Sequence, residues 1–182
     1  VPLTRYYATN RSKLPNVFKA IQMGPVWRAE RPQKGRYRQF VQCDIDIIGD
    51  ASQLAEVDLL ISSLDALEAL GLSDAVIRVN HRVLLNRLLE SLGVPEAGRG
   101  SAMITIDKLD KIGADGVAKE LNERFGQAVS DAAATWLTSI VGELEVPVEL
   151  MPIFAAVESR FAGRLRFDPT LVRGMGYYTG AI

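Results

Sequence analysis

Apolar residues recur along this chain with two periods, and the changes of period mark the elements. From Phe40 to Ile48 the alternation is strict: Val41, Cys43, Ile45 and Ile47 are apolar, with Gln42, Asp44 and Asp46 between them. A period of two puts the three polar groups on one face of a strand. It puts Cys43 on the other face, where a buried thiol is expected. Val17 to Glu30 reads as extended, with Val26 and Trp27 favouring a strand. The polar run Arg31 to Arg38, with Pro32 and Gly35, joins the two, so an antiparallel pair closed by a long loop is predicted. Before it, Leu3 to Asn10 reads as a short helix and Ser12 to Asn16 as a turn that Pro15 keeps from continuing the helix.

After the pair the period lengthens. Leu54, Val57, Leu60, Ile61, Leu64, Leu67 and Leu70 follow a three-four spacing, which predicts a helix from Ser52 as N-cap to a stop at Gly71. Ala75 to Val79 is a short strand, and His81 to Leu92 a second amphipathic helix ended by Gly93 and Pro95. From Gly93 the texture changes. Gly98 to Ser101 is small and flexible in character. Ile104 to Ile112, Val117 to Phe125 and Ser130 to Val141 are helical patterns with no strand between them, and Val148 to Phe161 adds a fourth. Leu165 to Ile182 returns to strand-like residues, with a turn at Asp168-Pro169. The expected fold class is α+β: an antiparallel sheet flanked by helices, with a small all-helical insertion. The expected division is 1–92, 93–164 for the insertion, and 165–182.

Composition narrows this picture only a little. The chain has 182 residues, 48% of them hydrophobic, and a formal net charge of −1. That is enough apolar material for a core, and bulk charge gives no argument for a polyanion-binding surface. The single cysteine excludes an internal disulfide and a cysteine-based zinc site. No apolar run reaches the ~20 residues of a membrane span, no signal peptide stands at the front, and a cytoplasmic protein is expected. The chain opens on Val-Pro-Leu-Thr and stops at Gly180-Ala181-Ile182, so a fragment of a larger fold is expected.

Charge becomes informative locally. Arg28, Arg31, Lys34, Arg36 and Arg38 fall within eleven positions. Such a run can be a solvated loop. Here it straddles a turn between two strands, so its arms can converge on one bound group. Arginine outnumbers lysine, and its planar fork suits bidentate phosphate contact. Phe40 closes the run with a flat face for a base, so cations and a ring together suit a purine polyphosphate. Gln42, Asp44 and Asp46 either line the wet side of a sheet or form a cleft that binds an ammonium or an imidazole N–H. Leu171-Val-Arg-Gly-Met-Gly-Tyr-Tyr-Thr-Gly is either a glycine-rich strand with core aromatics or a place where backbone approaches a ligand closely. The lone His81, at a helix start, reads as structural. Neither a phosphate-binding Gly-x-x-x-x-Gly-Lys-Thr loop nor a dinucleotide fingerprint is present.

The segment Val26-Trp-Arg-Ala-Glu-Arg-Pro-Gln-Lys-Gly-Arg-Tyr-Arg-Gln-Phe-Val-Gln-Cys-Asp-Ile-Asp-Ile-Ile-Gly resembles motif 2 of the histidyl-tRNA synthetases, which are class II ligases. The Leu171 to Gly180 segment resembles their histidine-specific motif. The opening Val-Pro-Leu-Thr-Arg-Tyr resembles the residues just after their substrate loop, and Ile104 to Gly113 resembles part of their insertion domain. The resemblance implies adenylation of histidine with ATP, accompanied by Mg2+, followed by transfer to tRNA(His). It implies that Arg28 holds the α-phosphate and the histidine carboxylate, Glu30 meets the adenine edge, Phe40 stacks on its ring and Arg36 reaches the terminal phosphates. Gln42 would bind the histidine amino group and Asp46 its imidazole. Arg173 would be the cation at the α-phosphate, and Tyr177 and Tyr178 would complete the histidine pocket. A homodimer is expected of the full-length enzyme. Arg28 and Arg173 would carry catalysis, because displacement at phosphorus needs positioning and cationic stabilisation more than an acid–base pair.

The sequence departs from the family pattern at Gly176, where Asp is common, and Asp46 is the shorter of two acids found at its place. Motif 1, motif 3, the substrate loop and the anticodon-binding domain are absent from the 182 residues, which by themselves are expected not to aminoacylate efficiently. The alternative is the synthetase-like regulatory subunit of ATP phosphoribosyltransferase, which binds histidine without ligating tRNA. A degenerate paralogue serving only as a folded domain is a third reading.

Overall fold

The computed structural model describes residues 2–140, 142, 144–173 and 178–182. The chain divides into two compact units, Val1–Ser63 and Leu64–Ile182.

In the first unit a helix α1 (Pro2–Asn10) precedes two long strands, β1 (Phe18–Trp27) and β2 (Gln39–Ile48). They pair antiparallel in unbroken register from Phe18↔Ile48 to Trp27↔Gln39. Tyr6 and Tyr7 rest on the Phe18 ring, with ring centroids 6.3 and 5.8 Å away, which ties α1 to the start of β1. The register depends on Gly49, whose φ of +99° lets β2 end against Asn16: a Cβ there would lie 2.0 Å from the Asn16 carbonyl oxygen. Helix α2 (Gln53–Ala69) comes next, and Ser52 caps it, its Oγ accepting from the Leu54 amide at 3.3 Å. The Ser52 hydroxyl and amide also bond the Asp50 carboxylate and hold its pKa below the ordinary value. An ion pair between Lys19 and Asp58 links β1 to α2.

Opposite residues of an antiparallel pair share a face. One face therefore carries Gln22, Gln42, Asp44 and Asp46, all half-buried, and the other Ile21, Met23, Val41 and Cys43. The pattern is as predicted, but the burial of Cys43 is not: the thiol is exposed. Ile21, Met23 and Val41 are 71%, 76% and 77% exposed. Only the end bearing Ile45 and Ile47 is half-buried, because no second layer covers the far end of this two-stranded sheet among the described residues.

The second unit holds β3 (Ile77–Val79), α3 (Arg82–Ser91), α4 (Arg99–Ile106), α5 (Leu109–Phe125), α6 (Gln127–Ser139), α7 (Met151–Glu158) and β4 (Leu165–Phe167). β3 and β4 form a parallel pair from Ile77↔Leu165 to Val79↔Phe167, a crossover pairing that local alternation does not announce. His81 is structural, as read: its Nδ1 accepts from the Val83 amide at 3.2 Å and caps α3. The stretch from Gly98 to Ser101, expected to be flexible, instead enters α4, and Gly98 sits where a Cβ would meet the Phe125 ring at 2.5 Å. The helical patterns at 104–112 and 117–125 are redistributed between α4 and α5. Within α5, Gly113 breaks the helical dihedrals with φ of +70°. One core joins Leu85 and Leu89 of α3, Met103 and Ile106 of α4, Val117 and Leu121 of α5, Val129 and Ala133 of α6, and Val172. Beyond β4 the described residues adopt no strand except a bridge of Ala181 to His81.

Candidate functional site: a basic hairpin pocket

The β1–β2 stem runs one step past the strands, with the Arg28 amide donating to the Arg38 carbonyl oxygen at 2.8 Å. Beyond it the loop folds back on itself. Gln33 and Arg36 exchange backbone hydrogen bonds of 3.2 and 2.8 Å around Lys34-Gly35. Gly35 has a φ of +77°, the sign a type II turn demands at its third position. Arg38 Nε then donates to the Glu30 carbonyl oxygen at 3.2 Å and draws the two arms together.

The folded loop borders an open pocket of about 280 Å³ lined by Arg28, Glu30, Gly35, Arg36, Tyr37 and Phe40. The four residues that the resemblance implies for ATP therefore share one concavity. Arg36 pairs with Glu30 at 3.2 Å, both partly exposed, so this pair is weak and exchangeable. The Arg28 guanidinium lies over the Phe40 ring, 5.0 Å from its centroid, and its Nη2 donates to Gln42 Oε1 at 3.4 Å. Any ring stacking on that face of Phe40 has to displace the guanidinium. Tyr37 is a pocket residue to which sequence reasoning gave no role. Its place in the basic run was the available signal.

Gln42 continues the site along the same face. Its Nε2 donates to Asp44 Oδ1 at 2.5 Å, so Arg28, Gln42 and Asp44 form a chain of contacts. Asp46 Oδ2 accepts from Gln22 Nε2 at 3.3 Å, a diagonal cross-strand pair. Asp44 thus orients Gln42, and Gln22 orients Asp46. Alternation along β1 could have placed Gln22 on this face in advance.

Arg173 lies in the second unit, exposed, with its carbonyl held by Arg82 Nη1 at 2.9 Å. Tyr178 is half-buried. Tyr177 and Gly176 lie outside the described residues. No group of three or more metal-ligating side chains gathers among the described residues. No described helix is long and apolar enough to cross a membrane.

Comparison with known proteins gives this geometry its context. The histidyl-tRNA synthetase family model matches residues 2–182. The histidine–tRNA ligase of Leifsonia xyli subsp. xyli is 50% identical over all of this chain, which covers 47% of that protein. The probable histidine–tRNA ligase of Tropheryma whipplei is 40% identical, again over the whole chain and 49% of its own length. The chain thus spans about half the length of the curated relatives it matches. The crystal structure of histidyl-tRNA synthetase from Nostoc sp. PCC 7120 superposes with a TM-score of 0.80 at 27% identity, over 99% of this chain and 46% of that one. An ATP phosphoribosyltransferase regulatory subunit/histidyl-tRNA synthetase from Bacillus halodurans C shares the fold, with a TM-score of 0.77 at 20% identity, over 99% of this chain and 50% of that one.

Proposed function

Since this chain belongs to the histidyl-tRNA synthetase family, we propose that it carries the ATP- and histidine-handling part of a histidine–tRNA ligase, which activates histidine to histidyl-adenylate and transfers it to tRNA(His). The pocket lined together by Arg28, Glu30, Arg36 and Phe40 is the observation that carries this reading. In the proposed reaction the histidine carboxylate attacks the α-phosphorus of ATP and pyrophosphate leaves, so charge gathers on the phosphate oxygens. Preorganised cations lower that barrier. Arg28 is proposed to hold the α-phosphate and the carboxylate, Arg36 the terminal phosphates, Glu30 the adenine edge and Phe40 its ring. Gln42 and Asp46, on one face of β2, are proposed for the amino group and imidazole of histidine. Arg173 would supply a second cation at the α-phosphate, with Tyr177 and Tyr178 on the histidine side. Magnesium, entering on the nucleotide, would take its ligands chiefly from the phosphates, because Glu30 is the single carboxylate among the lining residues. The segments 1–92 and 165–182 are proposed as catalytic core and 93–164 as the helical insertion. A cytoplasmic setting and a homodimeric full-length enzyme complete the proposal.

The regulatory-subunit reading uses the same fold, but the cations around the pocket favour the ligase, since a histidine sensor does not need them. Calorimetric titration of histidine and of ATP, with wild type and Arg173→Ala, tests the choice. Binding of both ligands, with ATP weakened by the substitution, supports the ligase. Histidine binding alone supports the regulator, and binding of neither leaves only a folded domain.

A further inference from the structure

A buried asparagine and an arginine two residues later direct their hydrogen bonds to both flanks of the glycine-rich motif, and neither has a role in the proposed ligase chemistry. Asn80, at the end of β3, is 1% exposed. Its Nδ2 donates to the carbonyl oxygens of Pro169 at 3.2 Å and Leu171 at 3.0 Å, and its Oδ1 accepts from the His81 amide at 2.8 Å. Its backbone exchanges two 2.8 Å bonds with Ile182. Arg82 donates through Nη1 to the carbonyl oxygen of Arg173 at 2.9 Å, and through its amide to that of Gly180 at 3.0 Å. Arg78 extends the contact upstream by pairing with Asp168 at 2.9 Å, and Asp168 in turn accepts from the amide and hydroxyl of Thr170.

We propose that Asn80 and Arg82 are positioning residues that hold the backbone on either side of the motif and thereby aim Arg173. Residues 169–173 have no strand ladder, so their carbonyls need partners from elsewhere in the unit. Asn80 satisfies two of them from a buried position, where losing the donors strands both acceptors. Arg82 satisfies the carbonyl of Arg173 itself with a charge-assisted bond. A cation that stabilises a developing charge works only if its own backbone is fixed, because small misplacements cost rate. This proposal rests on the ligase reading for the role of Arg173, but not for the hydrogen bonds that fix it.

The test is a double-mutant cycle on ATP affinity by calorimetry, with Arg82→Ala and Arg173→Ala, accompanied by amide hydrogen exchange. Arg82→Ala is expected to weaken ATP binding about fivefold, as loss of one hydrogen bond implies, and Arg82→Lys to recover most of it. In the Arg173→Ala background the same substitution is expected to add little, because its effect passes through the absent guanidinium. The Leu171 and Ile182 amides should exchange faster in Arg82→Ala and in Asn80→Asp, with the Leu89 amide unchanged. Equal losses of affinity in both backgrounds would overturn the proposal, as would unchanged exchange at Leu171. If wild type does not bind ATP, the functional reading fails on its own and the exchange measurement decides whether the clamp exists.

Discussion

Replacing Arg28 by lysine separates charge from shape in the pocket. Lysine keeps the positive charge but loses the planar fork that lies 5.0 Å above the Phe40 ring and reaches Gln42 at 3.4 Å. The stacking contact, worth about 0.5–1 kcal/mol at an exposed site, is already present without ATP, so its loss falls on the free protein and is not counted against ATP binding. Exchanging the proposed bidentate phosphate contact for a single one costs roughly 1 kcal/mol. The substitution therefore weakens ATP by about 1 kcal/mol, or roughly fivefold in Kd. Calorimetric titration with ATP at two salt concentrations measures it. The salt dependence should match wild type, since the charge is retained. Arg31→Lys, in the same loop but outside the pocket lining, should leave Kd within about twofold, because a screened loop cation contributes little. If Arg28→Lys binds ATP as wild type does, or loses no more than Arg31→Lys, the loop acts as a diffuse cloud of cations and the assigned geometry is wrong.

Four further outcomes are expected from the geometry. Gly49→Ala should destabilise the first unit by at least ~2 kcal/mol, from left-handed strain plus the clash with the Asn16 carbonyl. Gly35→Ala, with open space around it, should cost only the strain of about 1–2 kcal/mol; equal costs in urea denaturation would contradict the close approach. Leu121→Ala, at a site 0% exposed within the helical core, should cost about 2–5 kcal/mol in the same assay. Glu120 has its pKa lowered, first by the hydrogen bonds from Lys108 at 2.9 and 2.7 Å. A depressed folded-state pKa gives stability that is present above the unfolded value of about 4.5 and lost as pH falls through the folded one. Glu120→Gln should therefore flatten the stability–pH curve below pH ~4.5 and leave its slope near neutrality unchanged; an unaltered acid limb would show that the pair contributes nothing.

The antiparallel pairing of β1 with β2, the long helix after them, its cap at Ser52 and the structural role of His81 were all legible in the residues, because each rests on local chemistry. A period of two, a hydroxyl before an apolar run and a glycine after it act over a few positions. The gathering of Arg28, Arg36 and Phe40 was legible for the same reason, since one hairpin holds them, whereas Glu30 was implied only by the family resemblance and Arg31, Lys34 and Arg38 do not line the pocket. Three features were not. The helix through Ser101 depends on Gly98 fitting under Phe125, a contact between residues 27 positions apart. The parallel pairing of β3 with β4 joins segments separated by the whole helical insertion. The contacts of Asn80 and Arg82 reach about 90 residues along the chain.

The amino-acid sequence by itself thus determined which groups of β2 lie on the same face, because side-chain direction along a strand alternates wherever the strand is. Only the tertiary structure decided which of those faces is covered. Cys43 is exposed although its neighbours on the face are apolar, because burial depends on what packs above a strand, and that layer is supplied from outside the strand itself.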